Sequence, residues 1–281
     1  MAESRAGLEA GPGVALAEQD FAGVAHVRDL LRLIDAGAGT GADTAKASRE
    51  ATMAGDEARW LAPTSPAESF AGTLLYRLNR LLARLFFRLR VEGLEHLPAE
   101  PPFVIVANHL SDLDPPLIGA ALPLPIMRRL YWSGDRGRLF GSALSRRFCR
   151  IAHIFPVDER APGTTLAMAE RALSRGNAVI WFPESWRSPD GELQRFLPGI
   201  GRLLSARPVP AVPCFIRGTF EAMPRERRWP RPHPVRIVFG TPVDPAALAL
   251  ASDEGAAEAH IADSLRAEVA KLALRGWDQR A

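Results

Sequence analysis

The chain has 281 residues, 47% hydrophobic and 24% charged, which suits one large domain with appendages or two small ones. Its net charge is only +3, but its basic side chains are nearly all arginine, with Lys46 and Lys271 the only lysines. The two cysteines, Cys149 and Cys214, sit in apolar strand-like segments with no disulfide or zinc-ligand spacing, so a reducing compartment is expected.

Residues 1–64 are rich in Ala, Gly and Glu and read as a mobile or linker-like extension. They lack the basic-then-apolar order of a signal peptide. No apolar run in the chain reaches the length of a membrane span. A cytoplasmic protein, peripherally or monotopically held at the inner face of a membrane, is the expectation.

Ser65-Pro-Ala-Glu68 is a capping-box start with proline at the first helical position. The helix it opens, within a segment of residues 65–93, has apolar side chains at 70, 74, 78, 81, 82, 85, 86 and 89 on one face. Arg77, Arg80, Arg84 and Arg88 form another face, and Gly93 is the expected stop. An arginine near mid-bilayer costs about 2.5–3.5 kcal/mol, so this helix cannot span. It suits the interface, with its apolar face among acyl chains and its guanidiniums on phosphates. An anionic membrane surface is therefore an expected partner. The competing expectation is a surface helix packed on its own domain.

Residues 94–281 alternate strand-like and helical patterns. Apolar runs at 103–107, 130–133, 151–157, 178–182, 209–216 and 235–239 read as strands, with helices at 164–174, 199–206 and 254–274. Strands this apolar are covered on both faces. The expected fold is α/β, with a largely parallel central sheet flanked by helices and the amphipathic interface helix ahead of it.

The stretch VIVANHLSDLD, residues 104–114, carries the chemistry. An apolar strand ends in Asn108 and His109, Asp114 follows five residues later, and Pro115 and Pro116 force a turn. A histidine delivered by a rigid strand, with a carboxylate behind it, meets the needs of general-base catalysis. Asp112 is the other carboxylate within reach. FPVDER (155–160) and FPESWRS (182–188) likewise end strands in charged clusters, and VPAVP (209–213) is a proline-shaped strand. Ligands gather at the carboxyl ends of strands in such sheets, so these clusters are expected to converge. A nucleophile-elbow G-x-S-x-G, a Walker loop, a dinucleotide fingerprint and any recognisable nucleic-acid module are missing. Neither metal nor nucleic acid is therefore expected.

NHLSDLD, FPVDER, FPESWRS and VPAVP, in this order and spacing, resemble the glycerolipid acyltransferase family of the 1-acyl-glycerol-3-phosphate acyltransferase type, marked by NHxxxxD. The resemblance implies direct acyl transfer to a lysophospholipid hydroxyl from acyl-CoA or acyl carrier protein, a co-substrate rather than a cofactor. It implies His109 as general base and Asp114 as its orienting partner. Glu184 and Arg187 would hold the acceptor's glycerol and phosphate, with Ser185 beside them, and Arg160 would fall near a second phosphate arginine. The family's third motif is FPEGTRS, whereas Ser185 and Trp186 stand here in place of Gly and Thr. That departure bears on acceptor identity, and it leaves a non-catalytic membrane-tethering protein as the alternative expectation.

Overall fold

In a computed structural model the chain is described at residues 55–56, 59–157, 162–251 and 256–274. The unit Glu57–Ala281 carries the sheet and its helices. The extension expected at residues 1–64 falls mostly outside the described residues. Its last part does not stand apart from the domain. Trp60 and Leu61 are buried in the core, and Trp60 packs edge-on against Phe140 with ring centroids 4.9 Å apart.

Helix α1 spans Pro66–Phe87. Its start agrees with the sequence spacing: the Ser65 hydroxyl accepts from the Glu68 N–H, while the Glu68 carboxylate accepts from the Ser65 N–H at 2.8 Å. The stop differs from expectation. Arg88, not Gly93, caps the helix in the left-handed region (φ 41°), donating its N–H to the Ala83 carbonyl. The next residues become the short edge strand β1, Arg90–Glu92. Gly93 has another use. A Cβ there would lie 2.0 Å from the Phe239 carbonyl oxygen, so only glycine lets the chain leave β1 so close to its neighbour.

Among the described residues the sheet has seven strands. After β1 come β2 (Val104–Ala107), β3 (Leu130–Asp135), β4 (Ile154–Val157), β5 (Ala178–Trp181), β6 (Ala211–Arg217) and β7 (Arg236–Phe239). They lie in the order β1-β7-β6-β2-β5-β3-β4, and every pairing is parallel except β6 with β7. The expected largely parallel α/β sheet is what forms. β2 is buried along its whole length between β5 and β6, which is why four successive residues can all be apolar. The run expected as strand from 151 begins only at Ile154. His153 takes a positive φ of 56° there, and the preceding helix extends through Ile151.

Helices cover both faces. They are α2 (Asp114–Ala121), α3 (Leu124–Met127), α4 (Arg136–Leu139), α5 (Ala143–Ile151), α6 (Pro162–Ser174), α7 (Gly199–Ala206), α8 (Thr219–Ala222), α9 (Pro245–Leu250) and α10 (Ala257–Ala273). α10 buries Ile261, Leu265, Val269 and Leu272, a stripe at helical spacing. It crosses α7 so closely that a Cβ on Gly201 would meet the Glu258 carbonyl oxygen. α1 crosses α5 where Gly72 approaches the Ile151 carbonyl, and Arg150 on α5 pairs with Glu68 at 3.0 Å.

α1 itself buries only Tyr76, Ala83 and Phe87. Phe70, Leu74, Leu78, Leu81, Leu82, Leu85 and Phe86 all face outward, from 40% to 74% exposed. Arg77 and Arg84 are exposed beside them. Among the described residues no helix is long and apolar enough to cross a membrane.

Candidate active site

The carboxyl ends of β2 and β5 meet because these strands are paired neighbours, Val106 opposite Trp181. From β2 the chain runs directly into Asn108 and His109. Asn108 is buried, and its side-chain amide makes both hydrogen bonds a strand would: it donates to the Ile216 carbonyl (2.9 Å) and accepts from the Ile216 N–H (2.8 Å). This locks the turn after β2 onto β6 and aims the next residue out of the sheet.

His109 Nδ1 lies 2.9 Å from Asp114 Oδ2. The same oxygen accepts from the Leu110 N–H at 2.6 Å and the Ser111 N–H at 2.8 Å. Three donors thus converge on one fully buried carboxyl oxygen, so the loop and the first turn of α2 fix the carboxylate before substrate arrives. Asp114 and not Asp112 is the partner of His109. The ring is further held by Phe182, stacked on it with centroids 4.2 Å apart and 23° between planes, and by Ser188, whose N–H donates to the His109 carbonyl at 2.7 Å. Ser111 ties the loop to the Met223 carbonyl at 2.7 Å. With Nδ1–H donated to Asp114, the second ring nitrogen, Nε2, is the one left for a substrate proton.

Glu184 is buried in the turn after β5, beneath the histidine loop, and neither of its carboxyl oxygens completes a hydrogen bond. Burial pushes its pKa up to about 8 from 4.5; the His109 and Gln194 backbone amides pull it down in part, and the Asp114 charge adds to the rise. The folded-state pKa lies above the unfolded one. The stability Glu184 contributes as a neutral acid is therefore complete below the ordinary carboxyl range and is lost as pH rises through about 8. Glu184→Gln, which cannot ionise, is expected to lose less thermal stability than the parent between pH 6 and pH 9. Melting curves at those two pH values read the difference, and parallel losses would refute it.

Arg187, from the same turn, is mostly buried and reaches Asp112 Oδ2 with Nη1 at 3.1 Å. Ser185 is exposed at the turn with φ 63°. The glycine expected from the motif has been replaced, but the left-handed geometry it served is retained. Ser185→Gly is accordingly expected to stabilise the protein by about 1 kcal/mol, measured by denaturant unfolding; a destabilised variant would count against strain at this position. Trp186 points outward and half its surface is exposed. Arg160, the other expected phosphate ligand, lies outside the described residues. The arginine-rich stretch 225–231 forms an exposed loop, where Arg227 and Arg231 donate to the Trp229 and Glu221 carbonyls.

The structure thus assembles His109, Asp114, Glu184, Ser185 and Arg187 at one end of the sheet. Sequence reasoning missed Asn108 as a bracket between strands and Phe182 as a platform; Arg138 on α4 reads from sequence as a solvated or headgroup-facing arginine, whereas it binds Asp112. Asn108 was visible as the polar residue before the histidine, but nothing local named Ile216 as its partner. Among the described residues no three His, Cys, Asp or Glu side chains converge as metal ligands would.

Comparison with known proteins bears on this arrangement. Residues 88–217 match the family model described as Acyltransferase, a span that takes in every described residue of the site. Mouse 1-acyl-sn-glycerol-3-phosphate acyltransferase alpha is 29% identical over 187 residues, 62% of this chain and 62% of that protein. The human protein of the same name is 30% identical over 151 residues, half of each chain. The chloroplastic 1-acyl-sn-glycerol-3-phosphate acyltransferase LPAT1 of Arabidopsis thaliana is 29% identical over 164 residues, 56% of this chain and 44% of its own length. The match therefore spans 44–62% of the length of these curated relatives. The crystal structure of the 1-acyl-sn-glycerophosphate acyltransferase PlsC from Thermotoga maritima superposes with a TM-score of 0.61 at 25% identity, covering 75% of this chain and 83% of that one. The histidine–carboxylate pair at the end of β2 thus lies within the residues that match the Acyltransferase family model, in a sheet shared with a solved acyltransferase.

Proposed function

We propose that this chain transfers a fatty acyl group from a thioester, acyl-CoA or acyl carrier protein, to the free hydroxyl of a lysophospholipid at a membrane surface, with 1-acyl-glycerol-3-phosphate as the leading acceptor. The observation that carries this reading is the 2.9 Å contact between His109 Nδ1 and Asp114 Oδ2 at the carboxyl end of a buried strand. His109 Nε2 removes the acceptor's hydroxyl proton as the oxygen attacks the thioester carbonyl. The new C–O bond forms, the C–S bond breaks, and the imidazolium returns its proton to the thiolate. Asp114 keeps the tautomer correct and offsets the charge on the ring while the proton is held. Transfer is direct, with no acyl-enzyme and no cofactor beyond the thioester.

Arg187 and Glu184, close beside the dyad, suit an acceptor's phosphate and glycerol. The outward apolar row of α1, flanked by Arg77 and Arg84, suits the headgroup region of an anionic leaflet. The tethering alternative gains no support from the Ser185–Trp186 replacement, because the dyad and Glu184 are assembled despite it. Purified protein incubated with labelled acyl-CoA and a panel of lysolipids is expected to convert 1-acyl-glycerol-3-phosphate to the diacyl product. Failure to acylate any acceptor in the panel would sink the reading.

A further inference from the structure

Three residues beyond His109, Asp112 makes a contact that the dyad does not use. Its Oδ2 is shared by two arginines, Arg138 Nη2 at 2.8 Å and Arg187 Nη1 at 3.1 Å, and its Oδ1 receives a longer contact from Arg138 Nη1 at 3.4 Å. Arg187 comes from the turn after β5. Arg138 comes from α4, where Asp135 caps the helix by accepting the Arg138 backbone N–H at 2.6 Å. Two guanidiniums from different elements therefore converge on a single carboxylate at the mouth of the site. Asp135 is the other carboxylate whose charge acts on Arg138.

The bonding geometry at this point is mismatched: two guanidinium forks share one carboxylate, most of it through one oxygen, while Asp135 adds its charge at Arg138 only. The Asp112 side chain is 38% exposed and that of Arg138 60%, so the pairing is screened by water and easily given up, and the carboxylate has solvent to swing into. A phosphomonoester corrects the mismatch. It carries close to two negative charges near pH 7 and three terminal oxygens, enough for each arginine to have its own. A phosphodiester carries one charge and two free oxygens, no more than the carboxylate it would have to displace.

We infer that Asp112 is a removable stand-in for the acceptor's phosphate: a phosphomonoester dianion displaces it and is gripped by Arg187 and Arg138 together, and competition from Asp112 turns away phosphodiester lysolipids. This rests on the acyltransferase reading above for the identity of the ligand, but it makes Arg138 a binding residue and Asp112 a specificity filter in their own right. It also makes acceptor binding weaken as pH falls below the second phosphate pKa, about 6.

The test is equilibrium binding by titration calorimetry, with sn-glycerol 3-phosphate as the monoester probe and sn-glycero-3-phosphocholine as the diester probe. Arg138→Gln is expected to lose about tenfold in monoester affinity, the scale of one charge-assisted hydrogen bond, and little in diester affinity. Arg138→Lys should recover part of the loss. Asp112→Asn is expected to improve diester binding most, narrowing the monoester preference about tenfold. In acyl transfer, these changes should appear in KM for the acceptor, with kcat nearly unmoved. Far-ultraviolet circular dichroism confirms that each variant is folded. An unchanged monoester-to-diester ratio in Asp112→Asn, or undiminished monoester affinity in Arg138→Gln, would overturn the inference. A parent protein that binds the monoester with this preference yet transfers no acyl group would defeat the proposed reaction and leave the binding inference standing.

Discussion

His109→Ala is expected to lower acyl transfer by about 10²–10⁴, the usual contribution of a positioned general base, with little change in melting temperature. The imidazole lies at the edge of the core with 17% of its side chain exposed, and its loss leaves Asp114 still bonded to the Leu110 and Ser111 amides. Asp114→Ala should behave differently. It removes the partner that orients His109, so activity falls as well, but it also strips the acceptor from two backbone N–H groups inside the loop. Leaving such donors unpaired costs about 1–3 kcal/mol each, so this variant is expected to unfold at markedly lower denaturant. Turnover and unfolding curves on the two variants separate the chemical role from the structural one. Full activity in the His109 variant would remove the base from the mechanism, and equal stability of the two would mean the loop does not depend on the carboxylate.

The second large effect concerns α1. A leucine taken wholly from water into an acyl region gains about 1.5–3 kcal/mol, and the part-exposed leucines of the outward row would gain about half to two-thirds of that on the proposed membrane surface. Changing Leu74, Leu78 and Leu85 to serine is therefore expected to reduce partition onto anionic vesicles by about 10²–10⁴. These residues are 61%, 50% and 67% exposed, so the fold has little to lose from the change. Changing Arg77 and Arg84 to glutamate should weaken binding to anionic vesicles only, and the defect should shrink as salt rises. Vesicle sedimentation measures both. Undiminished sedimentation of the triple-serine variant would mean that the row faces something other than lipid.

Much of this was written locally in the chain. The dyad needed only a strand that ends in His109 and a turn that returns Asp114, features five residues apart. The interior strands were legible because burial on both faces demands apolar runs, and the capping box at Ser65 announced α1. Edges were less legible. β1 reads Arg-Val-Glu and is buried only in part, so an amphipathic helix and an edge strand look alike there; the left-handed turn at Arg88 decides between them. The onset of β4 was obscured because α5 ends in the same apolar material. The short helices α3, α4 and α8, four residues each, are too brief to show a period. Least legible were the long-range bonds that finish the site. Asp112 reads as a possible partner for His109 until Arg138 and Arg187 arrive from 26 and 75 residues away.

The bracket from Asn108 to Ile216 also sets an order of events. The strand that carries His109 lies between two strands that come some 70 and more than 100 residues later in the chain. When that strand leaves the ribosome, neither neighbour has been made, and the amide that aims the histidine has no partner until residue 216 emerges. Contacts of such long sequence separation close late. The motif that carries His109 thus waits for more than 100 residues of later chain before it is assembled. A nascent chain is consequently expected to show none of the proposed acyl transfer until β6 has joined the sheet.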